Sequence, residues 1–167
     1  VSLMAMLIEP YLNEAVDSAR LLKMIIVHDL VEAEATDIPA FDTMNDAELK
    51  KQKQINEIKA IEKIRDTLQG SLGEDVYNLW MEFEHKETFE AKVANALDKL
   101  EAQIQHNEAD ISTWLEVEHK MSFMMGKHTD FHPVLTLFKE LIEEDAGLKL
   151  RNAGIDTERL KREVSGV

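Results

Sequence analysis

Apolar residues recur along this chain at intervals of three and four, the spacing that lines one face of an α-helix, nearly from end to end. Val1–Glu9 is an apolar helical segment that ends before Pro10, because the residue preceding a proline is steered away from the α region. The pattern resumes over Glu14–Ala35. Its centre, Leu21-Leu22-Lys23-Met24-Ile25-Ile26-Val27, is apolar almost all round and predicts a helix in the middle of a bundle. Thr36-Asp37-Ile38-Pro39 breaks the pattern and opens a loop to about Met44. Asn45 then reads as the N-cap of the next helix, with Glu48 at the capping-box position. That helix carries Ile55, Ile58, Ile61, Ile64 and Leu68 in one stripe and stops at Gly70.

A shorter helix is expected over about Asp75–His85, with Val76, Leu79, Trp80 and Phe83 inward. Thr88–Asn107 follows with Phe89, Val93, Leu97, Leu100 and Ile104 at helical spacing. Ile111–Met125, Pro133–Glu144 and a polar tail helix near Asp156–Val164 complete the chain. Gly and Pro are scarce, 6 and 3 residues of 167, which suits helices joined by short connections. No repeat or low-complexity linker divides the sequence. The expectation is an all-α protein, a single helical domain over residues 1–167, with the helices after about Asn107 peripheral.

Composition narrows the chemistry. The absence of cysteine excludes disulfides, thiolate metal sites and a cysteine nucleophile, and suits a reducing cytoplasm. A formal net charge of −14 disfavours nucleic acid and anionic membrane as partners. It would also repel a free phosphate ester, so a phosphate-handling site in this chain needs a strong local positive source such as a divalent cation. No apolar run reaches the roughly 18 residues of a membrane span.

Within the most hydrophobic predicted helix stands the pair His28-Asp29. A carboxylate in such a setting is costly unless a cation or several donors satisfy it. Glu32 follows His28 by one turn and would share its helical face, while Glu34 is displaced from that face and solvated. Asp98, between Leu97 and Lys99 in the Thr88–Asn107 helix, is a second buried-looking acid. Imidazole nitrogen and carboxylate oxygens together make a site suited to Mn, Fe, Co, Ni or Zn. The plainer alternative is a satisfied core histidine beside a locally capping carboxylate.

Four motifs come in order: His28-Asp29-Leu30-Val31-Glu32, Thr36-Asp37-Ile38-Pro39, Trp80-Met81-Glu82-Phe83-Glu84 and Ala96-Leu97-Asp98-Lys99-Leu100-Glu101. Together they closely resemble the HD-domain phosphohydrolases, specifically the group containing the bacterial 5′-deoxynucleotidases, over about Val1 to His106. The resemblance implies that His28 and Asp29 are a metal-binding dyad and Asp98 the distal ligand of a divalent ion (Mn, Co, Ni, Fe, Zn or Mg). It implies catalytic roles for Glu32, toward the attacking water, and Asp37, toward the leaving oxygen or the nucleophile, and these two roles could be exchanged. It further implies a helical HD domain, a cytoplasmic homodimer, and hydrolysis of (deoxy)nucleoside 5′-monophosphates. Another nucleotide phosphoester, a nucleoside triphosphate or an alarmone, is the rival substrate, and a catalytically inactive metal-binding interaction protein is the rival outside the enzymes. The family's further metal-binding histidine and its phosphate-contacting arginine would fall just upstream of Val1, where the chain begins already inside a helical pattern.

Other residues carry less. His119, His128 and His132 around Asp130 could form a second metal site, but plain surface or loop histidines are the expectation. The methionines at 4, 6, 121, 124 and 125 read as core filler or a subunit contact. Trp80 is equally a core anchor or a pocket wall. Arg20 and Lys99 are possible phosphate contacts, with an ion pair on the helix surface the expected use of Arg20.

Overall fold

A computed structural model describes residues 1–35 and 46–166. Among these residues every regular element is helical and there is no strand, so the all-α expectation holds. No helix among them is long and apolar enough to cross a membrane. The α-helices are α1 (Ser2–Ile8), α2 (Ser18–Val27), α3 (Ala47–Leu68), α4 (Gly70–His85), α5 (Phe89–Glu108), α6 (Glu116–Met121), α7 (Gly126–Thr129), α8 (Pro133–Asn152) and α9 (Thr157–Ser165). Short 3₁₀ segments stand at Glu9–Tyr11, Leu30–Ala33 and Ile111–Thr113.

Two compact units are distinguished. The first runs from Ala15 to Ala94. In it, Asp17 caps α2 by accepting from the Arg20 amide at 2.9 Å. Asp46 caps α3 by accepting from the amides of Glu48 and Leu49. The cap therefore falls one residue after the expected Asn45, which itself lies outside the described residues. Helix α4 begins at Gly70, several residues earlier than the pattern suggested. Gln69 and Gly70 both take φ of 57°, so the chain turns a tight corner and enters the next helix at once. Gly73 lets the two helices close: a Cβ there would stand 2.3 Å from the Arg65 carbonyl oxygen. Val31, Ala60, Ile61 and Trp80 form the buried centre, with Ile58, Ile64, Val76 and Tyr77 packed around it.

The second unit comprises Leu3–Glu14 and the chain from Asn95 onward. Leu100, Met125 and Ile142 form one buried cluster with Met4, Ile104 and Phe138 against it. Trp114, Phe123, Ala146 and Leu150 form another, covered by Ile155, Leu160 and Val164. Helix α8 continues to Asn152, past the expected end at Glu144, because Ala146, Gly147 and Leu150 remain buried along it. Lys149 from α8 donates to the carbonyls of Asn107 (2.5 Å) and Ala109, satisfying backbone acceptors that the end of α5 leaves without helical partners.

Candidate metal centre

Helix α2 stops at the dyad rather than running on to Ala35. The His28 amide still donates to the Met24 carbonyl at 2.9 Å. Asp29 then leaves the helix with φ −91° and ψ 2°. The Glu32 amide bonds back to the Asp29 carbonyl at 3.0 Å, within the 3₁₀ segment Leu30–Ala33. The helix is also more one-sided than its sequence suggested: Leu21, Met24, Ile25 and Val27 are buried, whereas Ile26 is 70% exposed. Glu32 therefore does not share an α-helical face with His28. It is an exposed residue of the 3₁₀ segment.

The side chains of His28 and Asp29 converge, and Asp29 Oδ1 comes within 3.1 Å of His28 Nε2. Asp29 is not buried as the apolar context suggested; its side chain is 62% exposed, against 8% for His28.

The hydrogen bond on the other ring nitrogen assigns the tautomer. His28 Nδ1 lies 2.7 Å from the Ile25 carbonyl oxygen, which can only accept, so Nδ1 carries the proton. In the neutral ring Nε2 then presents a lone pair toward a carboxylate oxygen. Two acceptors 3.1 Å apart repel unless a proton or a metal cation stands with them. An imidazole whose far N–H is anchored on a backbone carbonyl is also the usual preparation of a metal-ligating histidine.

Asp98 is the third candidate ligand. Each of His28, Asp29 and Asp98 offers one ligand atom, and these atoms lie within 4.8 Å of one another. Asp98 stands on α5, the helix that runs unbroken from Phe89 to Glu108. Lys99 Nζ lies 2.9 Å from an Asp98 carboxylate oxygen. The described residues thus hold a His/Asp/Asp cluster capable of coordinating a divalent cation, and its mixed nitrogen and oxygen donors fit such an ion. His119, His128, His132 and Asp130 form no comparable group among the described residues. Asp37 and its Thr36–Pro39 motif lie outside them.

The Trp80–Glu84 motif is a support, and its role was only half legible. Trp80 is buried, and its Nε1 donates to the His28 carbonyl at 3.1 Å. Phe83 lies against the His28 ring, with centroids 5.0 Å apart. Arg20 does pair: its guanidinium makes two bonds to the Glu82 carboxylate, and Thr88 donates to the same group at 2.7 Å. The Arg20 hydrogen bond, reinforced by Thr88, holds the Glu82 carboxyl below the usual carboxylate range. Glu34, expected to be solvated, is exposed but pairs with Lys63.

An all-helical chain whose His-Asp dyad and remote aspartate can share a cation defines a class of metal-dependent hydrolases. The model of the HD domain matches residues 1–136, and the chain belongs to the HD-domain phosphohydrolase family. It is similar to the 5′-deoxynucleotidase HDDC2 of Danio rerio, 35% identical over 152 residues, covering 87% of this chain and 70% of that one. The HDDC2 5′-deoxynucleotidase of Dictyostelium discoideum is 33% identical over 132 residues, covering 77% of this chain and 66% of that one. The crystal structure of a predicted metal-dependent phosphohydrolase from Magnetospirillum magnetotacticum has the same fold. It superposes with a TM-score of 0.65 at 24% identity, covering 92% of this chain and 77% of that one.

Proposed function

We propose that this chain hydrolyses (deoxy)nucleoside 5′-monophosphates to nucleoside and phosphate, with His28, Asp29 and Asp98 holding a divalent cation. The observation that carries the proposal is the gathering of His28 Nε2, the Asp29 carboxylate 3.1 Å from it and the Asp98 carboxylate within 4.8 Å of one another, a donor set that a divalent cation fits. The substrate class comes from the likeness to the HDDC2 5′-deoxynucleotidases. When bound, the cation supplies positive charge to the phosphoryl oxygens and acidifies water, which a chain of net charge −14 otherwise lacks.

In this scheme water oxygen bonds to phosphorus as the bond from phosphorus to the 5′-oxygen breaks. Glu32, exposed three residues beyond the dyad, accepts the proton of the attacking water. Asp37, in its carboxylic acid form, donates a proton to the departing 5′-oxygen; exchange of these two roles leaves the stoichiometry unchanged. Residues 1–167 act as one HD domain with peripheral C-terminal helices. A homodimer belongs to the same proposal, and the exposed Leu137, Leu141 and Leu148 on α8 support it.

The test is phosphate or pyrophosphate release from a panel of nucleoside 5′- and 3′-monophosphates, nucleoside triphosphates and an alarmone, with Mn²⁺, Co²⁺, Ni²⁺, Zn²⁺ or Mg²⁺ added in turn. Release from 5′-deoxynucleotides, with the 3′ isomers spared, is the expected result. Release only from triphosphates or alarmones would move the chain to another phosphoesterase activity. Metal binding with no release from any substrate would favour an interaction protein.

A further inference from the structure

Helices α2 and α4 leave an open groove of about 560 Å³ between them. Ile26 of α2 and Leu72 of α4 both line it, and they are 70% and 58% exposed. A single exposed apolar side chain is ordinary, but two that share one groove mark a contact surface. The groove is separate from the metal centre, since none of His28, Asp29 and Asp98 lines it. Lys23, which does, stands about 140° around the helix from His28. The charges select the occupant. The chain carries 33 acidic and 19 basic residues, yet the groove is balanced, with Arg20 and Lys23 against Asp17 and Asp75. Two of the four are engaged already, Arg20 with Glu82 and Asp17 as the cap of α2. Lys23 and Asp75 are exposed, and among the described residues no ion pair or hydrogen bond engages either side chain. The α2 wall thus offers a cation and the α4 wall an anion.

We propose that the groove between α2 and α4 is the face on which a second copy of this chain docks about a two-fold axis, with Ile26 and Leu72 in the apolar contact and Lys23 paired to the partner's Asp75. This rests on the homodimer reading and names its interface. A two-fold contact sets a patch against itself, so each cross-pair occurs twice. A groove with one wall basic and the other acidic is complementary to its own copy, which a chain of net charge −14 needs if two copies are to meet. The exposed leucines of α8 are the rival face. Glu140, Glu144 and Asp145 stand exposed among Leu137, Leu141 and Leu148, and a two-fold there would bring those acids against their own copies, a repulsive juxtaposition.

The experiment is sedimentation equilibrium of this chain over a concentration series. It compares the wild type with Ile26→Asp, Lys23→Glu, Asp75→Lys, the double variant Lys23→Glu/Asp75→Lys, and Leu141→Asp. The wild type and Leu141→Asp are expected to dimerise. Ile26→Asp and each single charge variant should associate more weakly by about tenfold or more, because a carboxylate enters the apolar contact or like charges meet across it. The double variant restores opposite charges at both copies of the pair and should regain the dimer. All the substituted positions are exposed, so far-ultraviolet dichroism should stay helical and Co²⁺ affinity unchanged. Should Ile26→Asp not fold, the charge exchange decides alone. Undiminished dimers in both single charge variants, or a double variant as weak as the singles, would overturn this inference. Dissociation by Leu141→Asp alone would overturn it too and assign the homodimer to α8. A wild type monomeric at every concentration would overturn the homodimer reading and the inference with it.

Discussion

His28 and His132 are both mostly buried and both spend one ring nitrogen on a backbone carbonyl, yet they do different work. His132 Nε2 lies 2.7 Å from the Leu12 carbonyl oxygen, and its Nδ1 accepts from the Val134 amide at 3.3 Å. One nitrogen donates and the other accepts, so a neutral imidazole is fully used in capping α8 and tying it to Leu12. His28 anchors Nδ1 on the Ile25 carbonyl in the same way, but its second nitrogen meets a carboxylate oxygen at 3.1 Å. The difference lies in what faces the second nitrogen: a donor completes a structural histidine, whereas a second acceptor invites a cation.

The largest expected effects break the comparison at its two ends. His28→Ala should abolish divalent-metal binding and with it metal-dependent phosphate release, while leaving the melting midpoint of the apoprotein little changed. His132→Ala should do the reverse. It leaves the Leu12 carbonyl without its donor and α8 without its cap, a loss of about 1–3 kcal/mol in denaturant unfolding, with metal affinity kept. Equal loss of metal by both variants would contradict the distinction.

A smaller effect concerns a third histidine. His106 stacks on Trp114 with ring centroids 3.9 Å apart. Its Nε2 is buried without a hydrogen-bond partner, 3.6 Å from a Glu118 carboxylate oxygen. Burial pushes its imidazole below the ordinary value of 6.5, against the opposing pull of Glu118. The unfolded chain therefore takes up this proton first as pH falls. The stability held by neutral His106 is present above about pH 6.5 and is lost as pH drops through the depressed folded value. His106→Gln should show a shallower fall of melting midpoint with pH on the acid side of 6.5. A curve parallel to the wild type would remove His106 from the acid sensitivity of this cluster.

The fold was largely legible because its helices follow from spacing. The stripe Ile55 to Leu68 and the run Phe89 to Ile104 each return as one helix, α3 and α5. The candidate metal ligands were legible as residue types in order. What local pattern could not show was the break after Val27. The apolar sequence there favours continuation, and no glycine or proline marks the end. For the same reason the sequence suggested a buried Asp29 and a Glu32 on the helical face of His28, neither of which survives once α2 ends. His132 does stand in the loop before α8, but it is buried rather than on the surface, because its ring meets the Leu12 carbonyl 120 residues away.

The most direct test of the central claim is anomalous diffraction from crystals of this chain grown with Co²⁺. One strong anomalous peak is expected within bonding distance of His28 Nε2 and of carboxylate oxygens from Asp29 and Asp98. A peak confined to other histidines such as His119 or His128, or none at the dyad under saturating Co²⁺, would contradict it.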